Sequence, residues 1–131
     1  MELWQQMIRN SIHTVDQLVE KFGIDRNVAE SLNEFFQVRI NPYYLSLIRY
    51  PGDPIWLQCV PDIKELQDFD AAEDPLKEDE MSPVPNITHR YPDRVLFLTT
   101  SQCGLYCRFC TRKRKVGNSE KISMKELESA F

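Results

Sequence analysis

Apolar and polar side chains alternate through the first fifty residues with the period of short amphipathic helices. Thr14 and Gln17 form a capping box that begins one helix, and Gly23 ends it. The apolar side of this helix comprises Val15, Leu18, Val19 and Phe22. Asp25 is placed to cap a second helix. Its predicted inward face comprises Val28, Leu32, Phe35 and Phe36.

A third helix is predicted from Asn41 and Pro42, which supply an N-cap followed by proline at the first helical position. Its apolar side comprises Tyr44, Leu45 and Ile48. The helix must end before Pro51, because a residue that precedes proline avoids helical geometry. We therefore expect residues 1–50 to be an N-terminal helical region that serves packing rather than chemistry.

Residues 51–92 have a different character, since they hold seven of the eight prolines in the chain. Between Asp62 and Glu80, nine acidic side chains face only two lysines. Such a segment has too few apolar residues to form its own core. It is predicted to be an extended, acidic connector on a surface.

The residues from Arg94 to Thr100 form a nearly continuous apolar run rich in β-prone side chains. This pattern is typical of a strand that is buried on both faces of a parallel sheet. Ser123 and Glu126 then form a capping box for a helix after the intervening loop. The apolar face of that helix comprises Met124, Leu127 and Phe131.

A strand, a loop and a helix in this order make the first unit of a β/α barrel or an open α/β sheet, in the α/β fold class. In such folds the functional groups lie in the loop that follows the strand. Residues 93–131 are predicted to be the start of this core. Because one unit cannot close a barrel, we expect the chain to be the N-terminal portion of a longer protein.

Composition and charge narrow the class of protein. The 131 residues are 42% hydrophobic and 27% charged, which is typical of a globular protein. No apolar run approaches the roughly 20 residues that span a bilayer, and the N-terminus does not resemble a secretory signal. The net charge of −4 disfavours nucleic acid as a partner. We therefore expect a cytoplasmic protein that binds neither membrane nor nucleic acid.

Three of the four cysteines, Cys103, Cys107 and Cys110, lie within eight residues. Without a secretory signal, a disulfide framework is disfavoured, and Cys59 is expected to be a buried apolar residue. The three clustered thiols can wrap one metal centre and leave a fourth coordination position open. A zinc site that uses His89 as the fourth ligand, and coincidental thiols, are the alternatives.

Five basic residues and no acidic ones lie between Arg108 and Lys115. Their position in the cysteine loop suggests an anionic ligand nearby, such as a carboxylate or a phosphate. A solvated basic run or a nucleic-acid patch would give the same pattern.

The cysteine triplet, with an aromatic residue before its last member, resembles the signature of the radical S-adenosylmethionine enzymes. Longer stretches resemble the lysine 2,3-aminomutase family, and one of them reads His-Arg-Tyr-Pro-Asp-Arg at residues 89–94. The others are residues 41–44, 53–55, 74–76, 82–85 and 106–117. The resemblance covers most of residues 40–120.

This resemblance implies a truncated, TIM-like β/α barrel and an isomerase that moves an amino group from the α to the β carbon of an amino acid. It also implies three cofactors, a [4Fe–4S] cluster, S-adenosyl-L-methionine and pyridoxal 5′-phosphate, which carry the radical chemistry. Cys103, Cys107 and Cys110 match the cluster ligands. Phe109 matches the aromatic position beside the adenine of S-adenosylmethionine.

The remaining site residues that the resemblance implies are basic or aromatic. Arg90, Tyr91 and Arg94 match the stretch that contacts pyridoxal phosphate. Arg112 matches the residue that holds the substrate carboxylate, for which a guanidinium offers paired donors. For Arg90 and Arg94, the alternative is that they pair with the acidic connector.

The implied substrate is a small amino acid, with lysine ahead of glutamate, arginine and a lysine destined for modification of an elongation factor. An external electron donor is required, and the resemblance allows a homo-oligomer. The family's Schiff-base lysine matches no lysine in this sequence, so we expect the chain alone to be inactive. The competing interpretation is a non-catalytic fragment or a module that binds zinc or an iron–sulfur cluster.

Overall fold

The computed structural model describes residues 1–68, 70, 72–117, 125 and 128. In these residues five helices precede one two-stranded sheet, so the chain is a small α/β structure. The helices are α1 (Leu3–Arg9), α2 (Val15–Phe22), α3 (Arg26–Phe35), α4 (Pro42–Leu47) and α5 (Trp56–Cys59), followed by a 3₁₀ helix (Ile63–Gln67). The strands are β1 (Ile87–Tyr91) and β2 (Arg94–Phe97). The predicted barrel stays a prediction.

Two compact units make up the chain. The first comprises Met1–Asp70 and Gly104–Cys110, and the second comprises Ala71–Cys103 and Thr111–Phe131. The predicted division into residues 1–50, 51–92 and 93–131 is a division along the sequence and stays a prediction.

The caps of α2 confirm the sequence prediction. The Thr14 hydroxyl oxygen accepts a hydrogen bond from the backbone N–H of Gln17 at 3.4 Å. The side-chain oxygen of Gln17 accepts the backbone N–H of Thr14, which completes the capping box. Gly23 ends the helix with a φ of 69°, a left-handed conformation that favours glycine. Local side-chain chemistry therefore fixes both ends of α2.

The core of the first unit lies where α2 and α3 pack together. Its buried side chains are Ile12, Val15, Leu18, Ala29, Leu32, Val38, Ile40, Ile48, Cys59 and Val60. The prediction that Phe35 faces inward was wrong, because its side chain is 61% exposed. Since α3 ends at Phe35 and the chain becomes extended at Phe36, Phe36 packs against the core instead.

The prediction for α4 is confirmed. The Asn41 side-chain oxygen accepts the Tyr44 backbone N–H at 2.9 Å, and Pro42 is the first helical residue. The helix ends at Leu47, and the extended backbone at Ile48 precedes Pro51 as expected.

Part of the predicted extended connector is helical. The Asp53 carboxylate accepts the backbone N–H of Trp56 at 2.7 Å, at the start of α5, and Asp62 forms a capping box with Glu65 at the 3₁₀ helix. An Asp followed three residues later by Glu is a helix-start signal that the proline content concealed. The expected burial of Cys59 is confirmed, since it is 1% exposed.

In the second unit, β1 and β2 form an antiparallel hairpin in which Ile87 pairs with Phe97 and Tyr91 with Arg94. The position of the predicted strand is confirmed, but its burial on both faces of a parallel sheet was wrong. A turn at residues 92–93 brings β1 alongside, and within the described residues β2 pairs with β1 alone. Two strands leave their faces open, so Val95 is 51% exposed.

The predicted final helix falls largely outside the described residues. Lys125 and Glu128 are helical, in agreement with the prediction. The predicted capping residues Ser123 and Glu126, and the apolar residues Met124, Leu127 and Phe131, lie outside the described residues. Among the helices that the structure describes, none has the length and apolar character needed to cross a membrane.

Candidate active site in the cysteine loop and the basic segment

Cys107 and Cys110 occupy the two ends of a tight turn in the first unit. The backbone N–H of Cys110 donates to the carbonyl of Cys107 at 3.2 Å, and Arg108 and Phe109 form the tip. A four-residue turn keeps the Cα atoms of its ends within about 7 Å. Two cysteines whose backbones are this close can both reach one cluster.

Backbone and side-chain hydrogen bonds hold this loop to the rest of the first unit. Tyr106 donates to the carbonyl of Arg39 at 2.9 Å, and the Asn41 side chain donates to the carbonyl of Gly104 at 3.1 Å. Asn41 therefore caps α4 with its oxygen and holds the start of the loop with its nitrogen. A bridge between Ile40 and Leu105 continues the contact.

The donor set has the chemistry of an iron–sulfur site. None of the four cysteines, which all lie in the described part of the chain, forms a disulfide. Cys103, Cys107 and Cys110 are partly exposed, and soft thiolates are the ligands that such clusters prefer. Cys103 belongs to the second unit and the other two belong to the first.

Cys59 lies apart from these three cysteines, in the buried core of the first unit. Burial, and then the electrostatic interaction with Cys107, raise the pKa of the Cys59 thiol to about 12. The thiol donates to the carbonyl of Ile55 at 3.3 Å, inside the core. Since the thiolate is the metal ligand, Cys59 is unsuited to that role.

Over the described residues, His, Cys, Asp and Glu side chains form no group of three or more that is arranged to hold a metal ion. The cluster prediction therefore rests on the donor set, its spacing in the sequence and the turn from Cys107 to Cys110.

Two of the residues predicted to contact pyridoxal phosphate lie together on the hairpin. The Arg94 guanidinium lies 5.4 Å from the centre of the Tyr91 ring, and it donates twice to Asp93, at 2.9 Å each. These side chains and Arg90 are exposed. Within the described part of the chain, Arg94 therefore pairs with its neighbour Asp93 and not with the acidic connector. Phe109, the predicted adenine contact, is also exposed, at the tip of the cysteine turn.

Arg112 binds a carboxylate in this structure. Its Nε donates to Glu78 at 3.0 Å and its Nη2 donates to the other Glu78 oxygen at 2.5 Å. The Glu78 side chain is only 5% exposed. The two parallel bonds make the bidentate arrangement in which arginine recognises carboxylates most strongly.

The acidic partners of the basic segment are the residues that the sequence analysis missed. Arg114 bridges to Asp74 at 3.0 Å and to Asp79 at 2.9 Å, and Lys115 bridges to Asp79 at 3.0 Å. The only sequence signal for these pairs was the acidic segment that precedes the basic one. Since most of these basic groups are paired, the alternative of a solvated basic run is disfavoured.

Asp79 gives this cluster of ion pairs a pH dependence. Hydrogen bonds from Arg114 and Lys115 lower the pKa of Asp79 to about 2. Since an aspartate in an unfolded chain has a pKa of about 3.9, the pairs stabilise the fold above that pH. Their contribution is lost as the pH falls through the native pKa, and because Asp79 is largely exposed the effect is modest and weakened by salt.

Urea unfolding of the wild type and of Asp79→Asn tests this expectation across the acidic range. The wild type should be more stable at neutral pH, and the two proteins should converge near pH 2. Glu80→Gln is the control, because Glu80 forms an exposed pair with Lys77 at 3.8 Å. A difference between the wild type and Asp79→Asn that does not change with pH would contradict the assignment.

Comparison with known proteins identifies relatives along almost the whole chain. No protein-family model matches it. The L-lysine 2,3-aminomutase of Clostridium subterminale is 42% identical, and the match covers 98% of this chain and 32% of that protein. The L-lysine 2,3-aminomutase of Methanococcus maripaludis is 46% identical over 98% of this chain and 31% of its own length. The glutamate 2,3-aminomutase of Clostridioides difficile is 36% identical over 95% and 30%.

These relatives define a class, the amino-acid 2,3-aminomutases, which are isomerases. The chain belongs to the lysine 2,3-aminomutase family, as the sequence resemblance predicted. It spans about a third of the length of the relatives that it matches.

Proposed function

We propose that this chain forms part of a radical S-adenosylmethionine enzyme, an amino-acid 2,3-aminomutase that also uses pyridoxal phosphate. The observation that carries the proposal is the 42–46% identity to L-lysine 2,3-aminomutases over 98% of the chain. The three cysteines of the loop agree with it.

Cys103, Cys107 and Cys110 would hold a [4Fe–4S] cluster, with the fourth iron open to S-adenosylmethionine. When bound, the cluster supplies the electron that splits S-adenosylmethionine into methionine and a 5′-deoxyadenosyl radical. The turn keeps Cys107 and Cys110 close together, and the exposed ring of Phe109 between them is available to stack on the adenine. Cys59 stays protonated in the core and takes no part.

Arg112 would orient the substrate through its carboxylate. A guanidinium has two edges that each offer a pair of donors, Nε with Nη2 and Nη1 with Nη2. Glu78 uses the first edge in this structure, and a substrate carboxylate would be recognised by paired donors of the same guanidinium. Lysine in place of Arg112 would offer no such pair of edges.

Arg90, Tyr91 and Arg94 would bind pyridoxal phosphate from the hairpin. Planar guanidiniums match the oxygens of a phosphate, and Tyr91 lies against the Arg94 guanidinium. When the phosphate binds, part of the paired hydrogen bonding from Arg94 to Asp93 would have to break. Their exposure leaves these groups accessible to a ligand of this size.

The proposed substrate is a free amino acid, with lysine first and glutamate second, in keeping with the names of the relatives. An external reductant would supply the electron, and no nucleic acid or membrane partner is proposed. Four cysteines without a disulfide fit a reducing compartment, so we propose a cytoplasmic location. We also propose that the full-length protein forms a homo-oligomer.

Anaerobic reconstitution of the chain with iron and sulfide tests the proposal. We expect a bound cluster whose electron paramagnetic resonance spectrum, after reduction with dithionite, changes when S-adenosylmethionine is added. We also expect reductive release of 5′-deoxyadenosine. Pyridoxal phosphate should give no borohydride-trapped adduct, since no lysine here matches the family's Schiff-base position. Tight binding of zinc without uptake of iron would reject the enzyme in favour of a zinc module.

A further inference from the structure

The side chain of Arg108 is the most enclosed of the basic segment, although it lies between Cys107 and Cys110 in a partly exposed loop. It is only 9% exposed. Its Nε and Nη2 donate to the two oxygens of Glu65, at 2.9 and 2.7 Å. The guanidinium carbon lies 4.5 Å from the centre of the Phe36 ring. We call Phe36, Glu65 and Arg108 the Arg108 anchor.

The contacts of the anchor fix the guanidinium in two directions. Glu65 sets its in-plane orientation through two parallel hydrogen bonds, and Phe36 covers one of its faces. The backbone is held as well, because the Arg108 N–H donates to the carbonyl of Gln58 at 2.8 Å. Arg108 is therefore held both at its backbone and at the end of its side chain. These contacts limit the conformational freedom of Arg108 and of the turn that contains it.

Burying a guanidinium is unfavourable unless a charged partner compensates it. Glu65 provides that compensation from the 3₁₀ helix, 43 residues away in sequence. The contact joins the helical part of the first unit to the turn that carries two of the proposed cluster ligands. It also balances the positive charge that Arg108 brings next to Cys107.

We infer that Arg108 is a positioning residue, and that the Arg108 anchor presets the turn from Cys107 to Cys110 for the cluster and sets the local charge beside it. This inference rests on the proposed function, because it requires that the two cysteines bind the cluster. Residues that orient metal ligands without touching the metal typically change metal affinity about 10–100-fold when they are replaced. The reduction potential of a cluster also responds to nearby charge.

The test uses the reconstituted chain and two variants of the anchor. Glu65→Gln keeps the shape but leaves the positive charge of Arg108 uncompensated. We expect it to lose iron to a chelator about tenfold faster than the wild type. Its cluster should have a more positive midpoint potential, since positive charge favours the reduced state. Phe36→Leu should lose iron faster to a smaller extent, with little change in potential.

Two controls separate positioning from general stability. Glu80→Gln is the same substitution at an exposed pair with Lys77, and Ile12→Val reduces packing in the core of the same unit. Both should retain iron and potential like the wild type. Thermal unfolding of every variant shows which of them are folded.

Each outcome decides the inference. If the wild type takes up no iron, the proposed function fails and the inference falls with it. If the wild type binds a cluster and Glu65→Gln retains iron at the same potential, only the inference is overturned. Iron loss in Ile12→Val equal to that in Glu65→Gln would also overturn it. If Glu65→Gln does not fold, the rate of iron loss from Phe36→Leu decides. Faster loss than in the wild type supports the inference, and an unchanged rate overturns it.

Discussion

Replacement of Cys107 by alanine is expected to abolish incorporation of the iron–sulfur cluster. Cys107 is the central member of the triplet, and a [4Fe–4S] cluster that is already bound by only three cysteines has no spare protein ligand. We expect iron and acid-labile sulfide in the reconstituted variant to fall to background, together with the absorbance of the cluster. The measurement is the iron and sulfide content per chain after anaerobic reconstitution and desalting.

Cys59→Ala is the matched control for the loss of one thiol. The pKa of about 12 keeps the Cys59 thiol protonated, so its removal should leave the cluster content unchanged even if the core is weakened. Retention of a complete cluster in Cys107→Ala would show that the ligands have been assigned wrongly. Equal losses in the two variants would point to stability and not to ligation.

Replacement of Arg112 by methionine is expected to destabilise the chain by about 3 kcal/mol, because it leaves a buried carboxylate without its main partner. Glu78 is 5% exposed, and among the described residues it would retain the weaker pair with Arg114, at 3.9 Å. Removing one member of a buried pair typically costs about 3–5 kcal/mol, and Arg114 keeps the expected value at the lower end. Urea unfolding followed by circular dichroism measures the change.

The double variant Glu78→Gln/Arg112→Met distinguishes an unpaired charge from a lost packing contact. Without the charge on Glu78 most of the lost stability should return. Lys77→Met is the control at an exposed ion pair and should change the free energy of unfolding by less than about 0.5 kcal/mol. A double variant as unstable as Arg112→Met would contradict the electrostatic explanation.

The features that the sequence predicted correctly are local ones. The N-cap of α2 at Thr14, its end at Gly23 and the cap of α4 at Asn41 all depend on contacts within a few residues. Such contacts are available to the chain whatever the rest of the fold does. The position of β2 was also predictable, because a run of β-prone residues identifies a strand without naming its partner.

Features that join distant segments were predicted wrongly or not at all. The apolar run at residues 94–100 fits a buried parallel strand as well as an exposed hairpin, and the turn before Arg94 decided between them. Phe35 and Phe36 are both compatible with an apolar helix face until the helix ends between them. Neither outcome can be derived from periodicity alone.

The same distinction between local and long-range features applies to the candidate site. The sequence by itself indicates Cys103, Cys107 and Cys110 as the candidate ligands, because covalent geometry keeps residues so close in sequence within one loop. Only the tertiary structure decided that Glu65 meets Arg108 and that Glu78 meets Arg112, across 43 and 34 residues. Every acidic side chain in the connector attracts every basic one, so charge alone cannot select a pair, and the path of the folded backbone makes the selection.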